Sequence, residues 1–176
     1  NYIRENILTS DNVGSVSDVL NYWNTGYGYL HKVNMFFENI ESSRVDEEFK
    51  NTMINEMKFI RAFIYFRLIR SYGGVPIITE PLGLKSDLST FSRDSLSACI
   101  RFIVSECDSA AAVLQAPDRM TDVANNLGRA TKGAAMGLKC RALLYAASDL
   151  FNKPEEWAPG YTHKEYISMQ DGKSQQ

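Results

Sequence analysis

The chain has 176 residues, of which 44% are apolar and 23% charged, which is the composition of a globular domain able to bury a real core. A net charge of −2 gives no basic surface for nucleic acid or anionic lipid. The two histidines, His31 and His163, fall in different segments. No H-E-x-x-H, G-x-S-x-G or C-x-x-C motif is present, and no calcium loop or glycine-rich phosphate loop, so the sequence offers no basis for catalysis, a metal or a cofactor.

Residues 1–14 read as a polar lead-in. A first helix is expected from Asp18 to Ser42, because Leu20, Trp23, Tyr27, Leu30, Val33, Phe37 and Ile40 recur at three- and four-residue steps. Gly26 and Gly28 weaken it, each by about 1 kcal/mol relative to Ala. A second helix is expected from Val45 to Tyr72, its start favoured by Asp46, Glu47 and Glu48. Between Phe59 and Tyr72 it has almost no polar face, so neighbours should cover it on several sides, with Phe59, Phe63, Tyr65 and Phe66 in the core. Lys58, Arg61, Arg67 and Arg70 make it a bundle helix and not a membrane span. Arg61, set among apolar residues, requires a carboxylate, from Glu56 or from another helix. Gly73 or Gly74 can close the helix in the left-handed conformation, and Pro76 forbids its continuation.

Residues 75–88 read as an irregular connection. A third helix is expected from Arg93 to Gln115, capped by Ser92, with Leu96, Ile100, Ile103, Cys107, Ala110 and Leu114 as its apolar stripe. Cys99 and Cys107 would lie about 12 Å apart along it, too far for a disulfide, and read as buried small hydrophobes. A polar loop over 116–128 leads to a fourth helix from Lys132 to Phe151, with Thr131 as N-cap and a face of small residues; Cys140 reads as part of its packing. The remainder, 152–176, reads as loop and tail. Four helices with short or moderate loops predict an all-α fold of antiparallel helical hairpins, a tetratricopeptide-like α-α superhelix over 1–151.

Three segments carry a family pattern. Glu56, Phe59, Arg61, Ala62, Tyr65, Phe66, Leu68, Tyr72, Gly73, Gly74, Val75 and Pro76 match an E-A-R-F-L-R-A-x-x-Y-F-x-L-x-x-x-Y-G-G-V-P-L-I signature. Trp23-Asn24 with Tyr27 and Val33-Asn34 matches a W-N-x-x-Y…I-x-x-A-N helix, and the run from Gly128-Arg129 to Tyr145 matches G-R-A-T-K-G-A-A…R-L-Y-L. In these segments the chain resembles the SusD/RagB family of nutrient-binding outer-membrane lipoproteins of Bacteroidetes. The resemblance implies helical N-terminal pairs, and non-catalytic capture of an oligosaccharide or polysaccharide that is delivered to a SusC-type TonB-dependent transporter. It also implies an outer-membrane location, held only through a lipid anchor that this chain does not show. Members run to several hundred residues, so the chain reads as an N-terminal portion, or a natural truncation, lacking the C-terminal half. The alternative is a helical module that docks the transporter, with ligand specificity elsewhere.

Sugar rings need flat apolar faces and paired polar groups. Two loop regions offer both, and the candidate ligand residues are Asp11 and Asn12 in one and Trp157, Tyr161 and Tyr166 in the other. Trp23, Arg61, Tyr72, Gly73, Gly74, Pro76, Gly128 and Arg129 are expected to be structural.

Overall fold

The computed structural model describes residues 22–83, 90–116 and 126–169. These residues are helical, with no strand among them. Four long helices, α1 (Trp23–Ile40), α2 (Glu47–Tyr72), α3 (Leu96–Val113) and α4 (Lys132–Ala147), precede two short ones, α5 (Asp149–Asn152) and α6 (Pro154–Trp157), and a 3-10 turn (Lys164–Tyr166). The start expected for α1 before Tyr22 lies outside the described residues. No described helix is long and apolar enough to cross a membrane.

Each long helix packs on the next in sequence, α1 on α2, α2 on α3 and α3 on α4. The directions alternate. Trp23 at the start of α1 meets Tyr72 at the end of α2, and Asp108 in the second half of α3 meets Lys139 in the first half of α4. The layout is the antiparallel hairpin arrangement predicted from the helix pattern.

Caps set the helix starts. The Asp46 carboxylate accepts from the Glu48 and Phe49 amides, and the Thr131 hydroxyl accepts from the Ala134 amide. For α3 the expected cap was wrong. Ser95, and not Ser92, accepts from the Ala98 amide, and the helix begins at Leu96 rather than Arg93. The reason is tertiary: Arg93 and Asp94 are engaged with the end of α2 and the chain that follows it.

The core lies along α2. Tyr65, Phe66 and Leu68 are almost wholly buried against Leu30 and Val33 of α1, Leu96, Ile100 and Ile103 of α3, and Leu138 and Ala142 of α4. Each such side chain contributes roughly 1.5–3 kcal/mol by leaving water. Cys99 and Cys107 are buried free thiols, as expected. Gly26 is a contact point: a Cβ there would stand 3.0 Å from Leu68 Cδ2 and from the Tyr22 ring, so α1 and α2 close up where the glycine sits.

Two burial expectations and one loop expectation fail. Phe63 is 43% exposed and Ile60 36%, so α2 is left uncovered along one strip. Cys140 is exposed, on an outer face of α4 that also carries Met136, Leu143 and Leu144. The segment expected to be loop after Phe151 instead holds α6 and the 3-10 turn. It returns to the helical body, where the Met169 amide donates to Phe151 O at 2.8 Å and the Gly74 amide to Tyr166 O at 2.6 Å.

Candidate functional site

Part of the family pattern, Tyr27, Asn34, Tyr65, Tyr72, Gly73, Gly74 and Pro76, meets around the end of α2 and the run that follows it. Gly73 has φ +72° and ψ −141°, a region open to glycine and not the left-handed helical cap expected. A Cβ on it would lie 2.2 Å from Tyr166 O, and one on Gly74 would lie 2.1 Å from Asp94 O. The double glycine therefore lets two backbones pass at contact distance. Arg93 fastens the turn: its Nε donates to Gly74 O at 2.5 Å, its Nη2 donates to Tyr72 O, and its guanidinium lies 4.8 Å from the Tyr166 ring centre.

The extended run from Val75 to Glu80 has no strand partner among the described residues, and side chains satisfy much of its backbone. Tyr27 donates to Pro76 O at 2.8 Å, and Asp94 accepts from the Ile77 amide at 2.8 Å. The Tyr65 hydroxyl accepts from the Ile78 amide and donates to Ile78 O. Asn34 donates to Ile78 O at 3.0 Å and to Glu80 O at 3.1 Å. Cys99 Sγ lies 3.4 Å from the Val75 amide. Burial pushes the Tyr27 and Tyr65 hydroxyls well above the ordinary phenol range and the Cys99 thiol up to about 11.

Arg61 has its carboxylate on another helix. Its Nε donates to Glu106 of α3 at 2.7 Å and its Nη1 to Asn34 Oδ1 of α1 at 3.3 Å. The rings of Phe37 and Phe102 lie 4.4 and 5.5 Å from the guanidinium. Glu56, the other expected partner, is taken by Arg129, which donates to both its oxygens at 2.8 and 2.9 Å. Gly128, with φ +86°, precedes that arginine. Trp23 is 37% exposed; its amide donates to the Tyr72 hydroxyl at 3.1 Å.

Of the candidate ligand residues, Asp11 and Asn12 lie outside the described residues. Tyr161 and Tyr166 are brought together through His163. The His163 ring stacks on Tyr166 with centroids 5.5 Å apart and planes 25° apart, and Tyr161 stands edge-on to it at 6.3 Å. Glu165 lies 3.3 Å from His163 Nδ1, so a carboxylate borders the aromatic group. Tyr161 is 38% exposed. Trp157 is 47% exposed and donates its indole N–H to Leu150 O at 2.8 Å, and no described ring contact joins it to the tyrosines. Sequence reasoning passed over Arg93 and did not select His163. The i, i+3 spacing of His163 and Tyr166 was the available signal for the stack; nothing local marks Arg93.

The arrangement defines an α-helical hairpin protein whose motif residues fasten a turn and which exposes a small aromatic surface beside it. The chain belongs to the SusD-like family: that family's sequence profile, described as starch-binding associating with outer membrane, matches residues 2–144. A SusD-like protein of Formosa agariphila is 30% identical over 126 residues, covering 69% of this chain and 22% of the relative. The crystal structure of a SusD-like protein from Bacteroides fragilis superposes with a TM-score of 0.67 at 30% identity, covering 86% of this chain and 27% of that one. A laminarin-binding SusD-like protein superposes with a TM-score of 0.62 at 27% identity over 72% of this chain and 26% of that one. The chain thus spans about a quarter of the length of these relatives.

Proposed function

We propose that this chain is the helical part of a non-catalytic glycan-binding protein of the outer membrane, lipid-anchored and surface-exposed, which passes an oligosaccharide or polysaccharide to a SusC-type transporter. Family membership carries the ligand class. One geometric observation supports a contribution from this chain: the exposed rings of Tyr161 and His163, the latter backed by the half-buried Tyr166, stand beside the Glu165 carboxylate, the pairing of flat apolar and polar groups that a sugar ring needs. Asp11 and Asn12 are proposed to add polar contacts and Trp157 a further ring.

Affinity electrophoresis against laminarin, starch and a panel of plant, host and bacterial polysaccharides tests this. The expected result is retardation by one glycan that weakens in Tyr161→Ala and His163→Ala, since both side chains are exposed and their loss leaves the fold intact. No retardation by any glycan would overturn the ligand-binding reading of this chain. A second reading, a module that docks the transporter, is favoured by the exposed apolar face of α4 with Met136, Leu143 and Leu144. Binding of a SusC-type transporter without glycan binding would select it.

A further inference from the structure

A hollow of about 320 Å³ opens between the first half of α2, the end of α3 and the residues just before α4, away from the aromatic group. Its size is at the lower end of the range for small-molecule sites. The floor is charged but internally neutral, because Glu56, only 8% exposed, takes both of its hydrogen bonds from Arg129. The walls mix donors and acceptors. The Asn51 side-chain oxygen Oδ1 accepts from Asn55 Nδ2 at 3.1 Å, which fixes the amide and leaves its NH2 group without a partner among the described residues. The Thr52 hydroxyl spends its proton on Glu48 O and keeps its lone pairs. The Gln115 side-chain amide has no partner among the described residues either, and its backbone carbonyl is held by the Lys132 amide. The half-buried Val113 and Ala130, with the edge of the buried Leu114, supply apolar surface.

This set of groups selects its ligand. An anion would need a free cation, and Arg129 is committed to Glu56. Among the described lining residues a cation would find an uncommitted carboxylate only at the exposed Glu48, and an exposed ion pair is worth about 0–1 kcal/mol. A neutral molecule carrying several hydroxyls and an apolar C–H face matches amides, a hydroxyl acceptor and the apolar surface at once. We propose that the hollow binds a small neutral polyhydroxy compound, a monosaccharide or a single sugar unit. The site is separate from the aromatic surface and stands independently of it.

The test is a titration of the isotope-labelled 176-residue chain with D-glucose, D-galactose and myo-inositol, following by NMR the side-chain amide signals of Asn51 and Gln115 and the ring signals of Tyr161 and Tyr166. The expected result is a saturable shift of both amides by at least one probe, with the apparent affinity falling about tenfold or more in the Asn51→Leu/Gln115→Leu variant. Both residues are exposed, so that variant should keep the parent's melting temperature and helical circular dichroism. Failure of every probe to shift these amides saturably would overturn the proposal. An undiminished response in the variant would overturn it too. Shifts confined to the Tyr161 and Tyr166 rings would overturn it while leaving the aromatic surface in place.

Discussion

At the residue scale, Arg61 shows how a charge is kept inside an apolar helix. Its guanidinium is held by Glu106 and Asn34, and Asn34 in turn holds the Ile78 and Glu80 carbonyls. One arginine thereby ties α1, α2, α3 and the extended run after α2. Arg61→Met should destabilise the chain by about 3–5 kcal/mol, because it leaves the Glu106 carboxylate buried and unpaired. Arg61→Met/Glu106→Leu, which removes both charges, should recover most of that loss. Denaturant unfolding of the parent, the single and the double variant measures both. A double variant no more stable than the single would mean that the arginine acts through its Asn34 and ring contacts instead. The need for a carboxylate was legible from the apolar surroundings of Arg61. Which carboxylate was not, because Glu56 lies nearer in sequence but faces the Arg129 side of α2.

At the scale of elements, helix existence and helix caps differ in how well local sequence marks them. Thr131 was readable as a cap because Gly133, Ala134 and the residues beyond begin a helix with nothing else to do. Ser92 and Ser95 both precede the apolar stripe of α3 and are equivalent on local grounds. The choice falls to Ser95 because Arg93 carries the carbonyls of Tyr72 and Gly74 while Asp94 accepts from the Ile77 amide, which keeps both residues out of the helix. Ser95→Ala should therefore cost about 1 kcal/mol and Ser92→Ala nothing measurable. Thermal melts of the two variants decide it, and the reverse order would restore Ser92 as the functional cap. The run from Val75 to Glu80 was readable as non-helical from Pro76. Its fixed path was not, since it depends on Tyr27, Asn34, Tyr65 and Asp94, all distant in sequence.

Across the whole molecule, periodicity shows that a helix has an apolar face but not whether a neighbour covers it. Phe63 on α2 and Leu144 on α4 have the same signature as buried Phe66 and Leu138, yet lie 43% and 72% exposed. The candidate ligand surface was legible only as a choice of aromatic residues. Its stacking depends on the chain after α6 returning to Gly74, which no local pattern announces. The buried groups also share one global consequence. Burial raises the Cys99 and Cys107 thiols to about 11, from an ordinary value of 9.0, and raises the Tyr27 and Tyr65 hydroxyls further. Below about pH 9 these groups are protonated whether the chain is folded or not, so they leave stability unchanged with pH. Between about pH 9 and pH 11 the unfolded chain releases the thiol protons while the folded core retains them. The unfolded state gains, and stability falls with rising pH. The melting temperature should accordingly decline through that window. Cys99→Ala/Cys107→Ala, although less stable at neutral pH because it leaves small cavities, should show a shallower decline. An equal slope in parent and variant would assign the alkaline loss to the buried phenols and not to the buried thiols.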